Sequence, residues 1–243
     1  MWIADQTRRA GEALISLFFP PHCANCGVST ESGAHLCAGC GEDVRRIVAP
    51  FCERCSEPFS GSVSGKFTCS NCADRQLHFG CAVAPYLSRG VVREFIHRFK
   101  YDRERYLRIP LGEWLSEALE DDRLKLQPAD FLVPVPLHST RFRERGFNQA
   151  DLLADQLSRT SNTPVLRCLH RTRYTTTQTR LDRHERMENL RDAFRVVHPE
   201  RLLQRHLLLV DDVFTTGSTA DECARVLLIA GAASVRVVTV ARG

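Results

Sequence analysis

The spacing of apolar and polar residues divides the carboxyl-terminal two thirds of the chain into alternating strands and helices. Residues 207–210, Leu-Leu-Leu-Val, are apolar at odd and even positions alike, so both faces of a strand here would be apolar. This pattern predicts an inner strand of a parallel sheet that is covered on both faces. Further strands are predicted at 79–87, 130–136, 193–197 and 235–240. Because helical patterns alternate with these strands, the pattern predicts an α/β fold, a parallel sheet flanked by helices.

Four stretches carry apolar residues at helical spacing, and polar or glycine residues mark their ends. Ser88, Asn148 and Ser218 are placed to cap three of these helices at the amino terminus. Asp221 would stand at the third position of the last helix, and Gly231 is placed to end it in the left-handed conformation. The helices are predicted at 88–101, 107–119, 148–157 and 218–230.

Two acids and a turn of small residues follow the strand at 207–210. Asp211 and Asp212 fall at its predicted carboxyl end, the edge where open α/β sheets bind ligands. Thr215, Thr216, Gly217, Ser218 and Thr219 then form a tight turn into a helix amino terminus, whose unpaired N–H groups suit a phosphate. Carboxylates instead suit ribose hydroxyls or Mg²⁺. These residues predict a sugar on the acids and a 5′-phosphate in the turn; the alternative is an ordinary strand–turn–helix unit with solvated acids.

The sequence of four apolar residues, two acids and V-F-T-T-G-S-T resembles the phosphoribosyl-pyrophosphate (PRPP) motif of type I phosphoribosyltransferases. This resemblance implies a type I phosphoribosyltransferase-like fold that binds PRPP with Mg²⁺. It also implies that Asp211 and Asp212 hold the ribose 2′ and 3′ hydroxyls, and that the turn from Thr215 to Thr219 holds the 5′-phosphate.

A basic stretch follows the predicted strand at 130–136. Arg141, Arg143 and Arg145 fall within five residues, directly before Gly146. The stretch is predicted to be a loop, and it is placed like the pyrophosphate loop of the resembled family, so the three arginines are expected to contact PRPP. The alternative is a solvated basic loop.

Eight of the eleven cysteines form four C-x-x-C pairs between residues 23 and 72, a strong signal for metal. Residues 42–48 read as a helical connector, which favours two sequential Cys₄ zinc sites, although a cross-braced pairing stays open. Four thiolates close the coordination sphere, so both zinc ions are expected to be structural. A disulfide framework is disfavoured without a secretory signal, and Cys81, Cys168 and Cys223 are interpreted as buried thiols. The two predicted ligand sets are Cys23, Cys26, Cys37, Cys40 and Cys52, Cys55, Cys69, Cys72.

Length and charge narrow the class of protein. The 243 residues suffice for one α/β domain and a small module, and the net charge of +4 alone indicates neither a nucleic-acid nor a membrane partner. Residues 1–19 predict a short amphipathic helix that packs on the body of the protein. Because this stretch is too charged to span a membrane or serve as a signal peptide, we expect a cytoplasmic protein without stable membrane insertion.

The cysteine pairs, V-P-x-P at 133–136 and R-x-R-G-F-N-Q-A-x-x-L-A at 143–154 together resemble the ComF/GntX family over almost the whole chain. Members join a double zinc ribbon, here 20–78, to a phosphoribosyltransferase-like domain, here 79–243. The resemblance implies a specificity-setting hood at about 79–125 and a core at about 126–243. Lys100 and Tyr101 end a hood helix within reach of a ligand, although a solvated lysine is the favoured interpretation. Some members are linked to natural competence, so single-stranded DNA and competence proteins are implied partners.

The polar stretch 171–186 is too long for a tight turn and is expected to be mobile. The resemblance implies a loop that closes over the active site, and Gln178, Leu181, Arg186 and Asn189 match its pattern, with Arg186 as a catalytic residue beside Asp211 and Asp212. The sequence therefore predicts a Mg²⁺-dependent phosphoribosyltransferase acting on an unidentified base. The alternative is a non-catalytic module that handles nucleotides or single-stranded DNA with the same fold.

Overall fold

The structure is a computed structural model, and it describes residues 21–31, 33–63, 65–174 and 190–243. The predicted helix at 1–19 lies outside the described residues, as do Gln178, Leu181, Arg186 and Asn189 of the predicted closing loop.

The cysteine-rich segment contains two short helices, α1 (Ala38–Glu42) and α2 (Ser70–Ala73), each directly after a cysteine. Its eight sulfur atoms form the two sequential groups predicted above, and within each group the sulfurs lie within 4.8 Å of one another. The connector at 42–48 was predicted to be helical, and this prediction is wrong. The chain leaves α1 at Glu42, Arg46 pairs with Tyr86 in an antiparallel bridge, and the N–H of Ile47 donates to the carbonyl of Pro85.

The main sheet has five strands, all parallel: β1 (Ala82–Val83), β2 (Tyr86–Leu87), β3 (Phe131–Pro134), β6 (His206–Phe214) and β7 (Ser234–Arg242). The order is β1, β7, β6, β3, and β2 continues the edge that β1 begins along β7. The predicted strand at 193–197 forms β5 (Phe194–Val196), which pairs with β4 (Leu169–Arg171) in a separate antiparallel pair. The parallel α/β architecture is therefore confirmed.

The helices cover both faces of the sheet because Leu207 to Val210 send buried side chains to both sides. One apolar core joins the sheet to the last helix, to β4 and β5, and to the second cysteine cluster; the other joins it to the helices at 90–117 and 149–161. The helices after the cysteine-rich segment are α3 (Gly90–Tyr101), α4 (Arg108–Glu117), α5 (Asp122–Lys125), α6 (Ser139–Arg145), α7 (Gln149–Ser161) and α8 (Ser218–Ile229).

Two of the predicted helix caps are wrong. Arg89, not Ser88, precedes α3, and Asp43 accepts the N–H of Val91 at 3.1 Å, so a carboxylate from the cysteine-rich segment caps this helix. Gly217, not Ser218, precedes α8. Asp221 therefore stands at the fourth position of the helix and not at the predicted third. The predictions for Asn148 and Gly231 are confirmed. The Asn148 side chain accepts the N–H of Ala150 at 3.2 Å, and Gly231 has a φ of +102°.

The strand order reverses between β3 and β6. From β3 the chain runs through α6 and α7 to Val165, which bridges Leu132 on the outer side of β3. From β6 it runs through α8 to β7, on the opposite side. Because the two connections leave in opposite directions, the carboxyl ends of β3 and β6 are the position where sheets of this kind form a ligand-binding crevice.

None of the helices within the described ranges has both the length and the apolar character needed to cross a lipid bilayer.

Candidate functional site

The two predicted acids lie in this crevice. Strand β6 runs to Phe214, past the predicted strand end, but its pairing with β3 stops at Val210 and Pro134. Asp211 and Asp212 therefore stand within β6 and just beyond the end of β3. Successive side chains of a strand point to opposite faces. Asp211 lies near Cys223 and Arg171 on one face, whereas Asp212 contacts α3 on the other.

Asp211 is partly buried, and burial together with the charge of Asp212 raises its pKa to about 7. The charges of Lys100 and Arg171 and the N–H of Asp212, which donates to Asp211 Oδ1 at 2.9 Å, oppose this rise in pKa. Asp211 therefore titrates near neutral pH.

Lys100 is not solvated, contrary to the favoured sequence interpretation. Its Nζ lies 2.9 Å from Asp212 Oδ2, and the two side chains are only 21% and 7% exposed. The helix α3 therefore supplies a cation to the acid pair.

The turn after β6 is built around a glycine. Gly217 has a φ of +76°, and a Cβ at this position would lie 2.5 Å from the ring of Phe214. The N-cap residue Gly217 has no side chain to cap α8, and the N–H of Ser218 donates to Thr216 Oγ1 at a long 3.4 Å. A helix amino terminus of this kind suits an anion. Thr216 Oγ1 lies 3.0 Å from Ser218 Oγ, which places both hydroxyls at the same opening.

Residues that follow the second cysteine cluster contact the turn after β6 and the first turn of α8. The Arg75 guanidinium donates to the carbonyl of Thr216 at 2.9 Å, and the His78 N–H donates to Asp221 Oδ1 at 2.7 Å. A cavity of about 300 Å³ lies between the cluster and the turn, with Cys72 on one side and Thr216 on the other. These contacts could not be predicted from the sequence, because Arg75 and Thr216 are 141 residues apart.

The predicted basic loop is instead the helix α6, with His138 as its cap and Gly146 at φ +78° as its end. The helix separates the three arginines. Arg145 lies over the ring of Tyr101, next to Lys100, at 5.1 Å, and it donates to Gln149 Oε1 at 3.0 Å.

Arg145 and Gln149, at the end of α6 and the start of α7, carry two buried donors. Arg145 Nε and Gln149 Nε2 are buried without a hydrogen-bond partner within the described residues. Because buried donors are normally paired, two orphaned ones beside a crevice favour an anionic ligand there.

Arg141 and Arg143 have different neighbours from Arg145. Arg141 lies 3.6 Å from Glu144 and over the Tyr174 ring. Arg143 is exposed and lines a groove of about 460 Å³ that begins at the end of β3, at Pro134, and also contains Arg167 and Arg171. Arg171, which sequence reasoning missed, lies near Asp211, and the charge of Arg141 lies close enough to Arg171 to lower its pKa.

The cysteine clusters have the geometry of closed zinc sites. The Cys26–Cys37 and Cys55–Cys69 sulfur pairs are both 3.6 Å apart, and sulfurs on a tetrahedral zinc lie about 3.8 Å apart. None of the eleven cysteines forms a disulfide bond, and Cys81, Cys168 and Cys223 are buried. The two Cys₄ clusters support two structural zinc sites.

Replacing Gly217 with alanine is expected to lower the free energy of unfolding by about 2–4 kcal/mol. The left-handed backbone and the collision with Phe214 both contribute. Gly146→Ala is the matched control, since Gly146 has nearly the same φ but open space around its Cβ, and it should cost about 1 kcal/mol. Urea unfolding measures both; equal losses would show that Phe214 does not restrict this turn.

Replacing Asp211 with asparagine is expected to stabilise the chain at alkaline pH by about 2–4 kcal/mol. The pKa of Asp211 is about 7 in the fold and 3.8 without it. The folded state therefore loses stability as pH rises through this window, and the neutral amide avoids that loss. Asp212→Asn is the control; it removes the partner of Lys100 and should destabilise. Thermal unfolding of both variants between pH 5 and 8 measures this effect. A gain in stability for Asp211→Asn that does not depend on pH would contradict the prediction.

Known proteins are similar to this chain over most of its length. A family profile described as double zinc ribbon domain matches residues 14–73. The chain is 32% identical over 238 residues to competence protein F of Haemophilus influenzae, covering 93% of this chain and 98% of that protein. It is 37% identical over 226 residues to the DNA utilization protein YhgH of Escherichia coli, covering 88% and 87%. Competence protein ComFC of Bacillus subtilis is 27% identical over 218 residues, covering 85% and 84%.

Among solved structures, the chain is similar to glutamine PRPP amidotransferase from B. subtilis in complex with ADP and GMP, with a TM-score of 0.40 and 20% identity. The similarity covers 60% of this chain and 30% of that chain.

Proposed function

This chain belongs to the competence protein F family, and from that premise we propose that it binds PRPP and transfers the ribosyl phosphate to a base-like acceptor. The observation that supports this most is the position of Asp211, Asp212 and the Gly217 turn in the crevice where the strand order reverses. The names of the relatives, competence and DNA utilization, connect the proposed activity with the handling of incoming DNA, in contact with competence proteins.

In this proposal the ribose hydroxyls donate to Asp211 and Asp212, and the 5′-phosphate accepts N–H and hydroxyl hydrogen bonds from Thr215 to Thr219. The bond between C1′ and pyrophosphate breaks with its electron pair leaving on oxygen, and a nitrogen lone pair of the acceptor forms the new bond to C1′. The buried donors of Arg145 and Gln149 are suited to the leaving pyrophosphate. Arg186, outside the described residues, stays a predicted contact.

Magnesium is a predicted partner of PRPP in this scheme. The carboxylates offer the oxygen ligands it prefers, but Asp212 already pairs with Lys100 at 2.9 Å. The acid pair therefore does not fit a resident magnesium ion, and we assign the metal to the pyrophosphate of the substrate.

Release of pyrophosphate from PRPP across a panel of purine, pyrimidine and pyridine bases tests the transfer. We expect release that depends on one class of base and is lost in Asp211→Asn with Asp212→Asn. If PRPP binds tightly but no base causes pyrophosphate release, the proposed binding site stands and the proposed transferase activity is wrong.

A second candidate function is binding of single-stranded nucleic acid without catalysis. The groove beside α6 brings Arg143, Arg167 and His170 together with Phe142, whose side chain is exposed, and such mixtures of cations and aromatic rings bind single strands. We expect binding of labelled oligothymidine to weaken steeply with salt.

Charge reversal separates this function from the transferase. Arg143→Glu should weaken oligothymidine binding and leave pyrophosphate release unchanged. Arg159→Glu, near the far end of α7 and about 15 Å along the helix from its start, is the control. Equal effects of the two variants, or binding that is insensitive to salt, would remove this candidate.

A further inference from the structure

Lys100 is held at the acid pair by the packing of α3. The helix places Phe95, Ile96 and Phe99 in the core, and Asp43 holds its amino-terminal end through the N–H of Val91. Lys100 is its penultimate residue, so its side chain leaves a fixed backbone and reaches Asp212 Oδ2 at 2.9 Å. A lysine chosen only for solubility would extend into water, whereas this one is 79% buried.

Two cations already stand at the acid pair. Asp211 and Asp212 are the acids, and Lys100 and Arg171 are the cations that act on Asp211. A magnesium ion on Asp212 needs a carboxylate oxygen at about 2.1 Å and would stand close to the ammonium group. The repulsion between the two cations must then be overcome or Lys100 displaced. A sugar hydroxyl has no charge, and a carboxylate oxygen can accept it while Lys100 stays.

We propose that Lys100 is the resident counter-cation of Asp211 and Asp212, so that a sugar phosphate binds at this pair without a divalent metal. The inference rests on the proposed function, because it concerns the same sugar site. Lys100 also lowers the repulsion between the acids and the phosphate of the ligand. It is a positioning residue: it holds Asp212 in place and sets the charge that the ligand meets.

Ribose 5-phosphate, which lacks the metal-binding pyrophosphate, is the probe that isolates this site. Its affinity is measured by calorimetry with and without magnesium, in buffers freed of metal by ion exchange, because a chelator would also remove zinc. For the wild type we expect equal affinities in the two buffers. For Lys100→Gln we expect binding on the order of tenfold weaker without magnesium, and recovery when magnesium occupies the place of the ammonium.

Two further variants control for charge and for folding. Lys100→Arg keeps the cation and should stay independent of magnesium. Lys125→Gln removes a lysine whose partner, Glu120, is exposed, and it should behave as wild type. Zinc content and thermal unfolding confirm that each variant is folded.

The outcomes separate this inference from the proposed function. Wild-type binding that requires magnesium, or a Lys100→Gln variant that matches wild type in both buffers, overturns the role of Lys100 and leaves the sugar site intact. Failure of the wild type to bind ribose 5-phosphate and PRPP in either buffer removes the proposed function and this inference with it.

Discussion

Replacing both Asp211 and Asp212 with asparagine is expected to weaken PRPP binding at least about 100-fold. Each carboxylate is proposed to accept a ribose hydroxyl, and a hydrogen bond to a charged group contributes about 1.5–3 kcal/mol. Two such losses therefore amount to about 3–6 kcal/mol. Asparagine keeps the shape of the side chain, so the turn that follows should stay in place. Calorimetric titration of PRPP measures the loss.

The control must remove two negative charges without touching the crevice. Glu120→Gln with Asp122→Asn does so, because both acids are exposed and lie between the end of α4 and the first residue of α5. This double variant should bind PRPP like wild type or slightly tighter, since it removes long-range repulsion. If the two double variants weaken binding equally, net charge and not the acid pair governs the affinity.

Replacing Cys52 with serine is expected to reduce the zinc content from two ions per chain to one and to unfold the second zinc ribbon. Structural zinc sites of this kind contribute about 10–16 kcal/mol to folding, which is comparable to the stability of a whole domain. The damage should extend further, because Cys52 lies in the same apolar core as Phe79, Leu209 and Cys223. Zinc analysis and thermal unfolding measure the two effects.

Two other cysteines provide the comparison. Cys26 belongs to the first cluster and is exposed, so Cys26→Ser should also remove one zinc but cost less stability. Cys168 is buried outside both clusters, and Cys168→Ala should keep two zinc ions. A chain that retains both metals after Cys52→Ser would contradict the assignment of this ligand.

The sequence predicted the features that local pattern determines. Leu207 to Val210 are apolar on both parities, and they form a strand that is buried on both faces. The C-x-x-C pairs determine their own chemistry, and their sulfurs group in the predicted order.

Local pattern failed where a contact from a distant segment decides. Asp43 caps α3 from the cysteine-rich segment, so Ser88 was not needed. Lys100 looked solvated because its partner Asp212 is 112 positions away. The stretch from Ser139 to Arg145 was predicted as a loop on account of its charge, although Gly146 after it is a signal for a helix end. The cap comes from His138, which is not among the usual capping residues.

A crystal structure of the zinc-loaded chain with ribose 5-phosphate tests the central claim most directly. It should show the ribose hydroxyls within hydrogen-bond distance of Asp211 and Asp212, with the phosphate on the backbone from Thr215 to Thr219 and Lys100 still on Asp212. A phosphate bound instead among Arg143, Arg167 and His170, with the crevice between β3 and β6 closed to the sugar, would contradict the account.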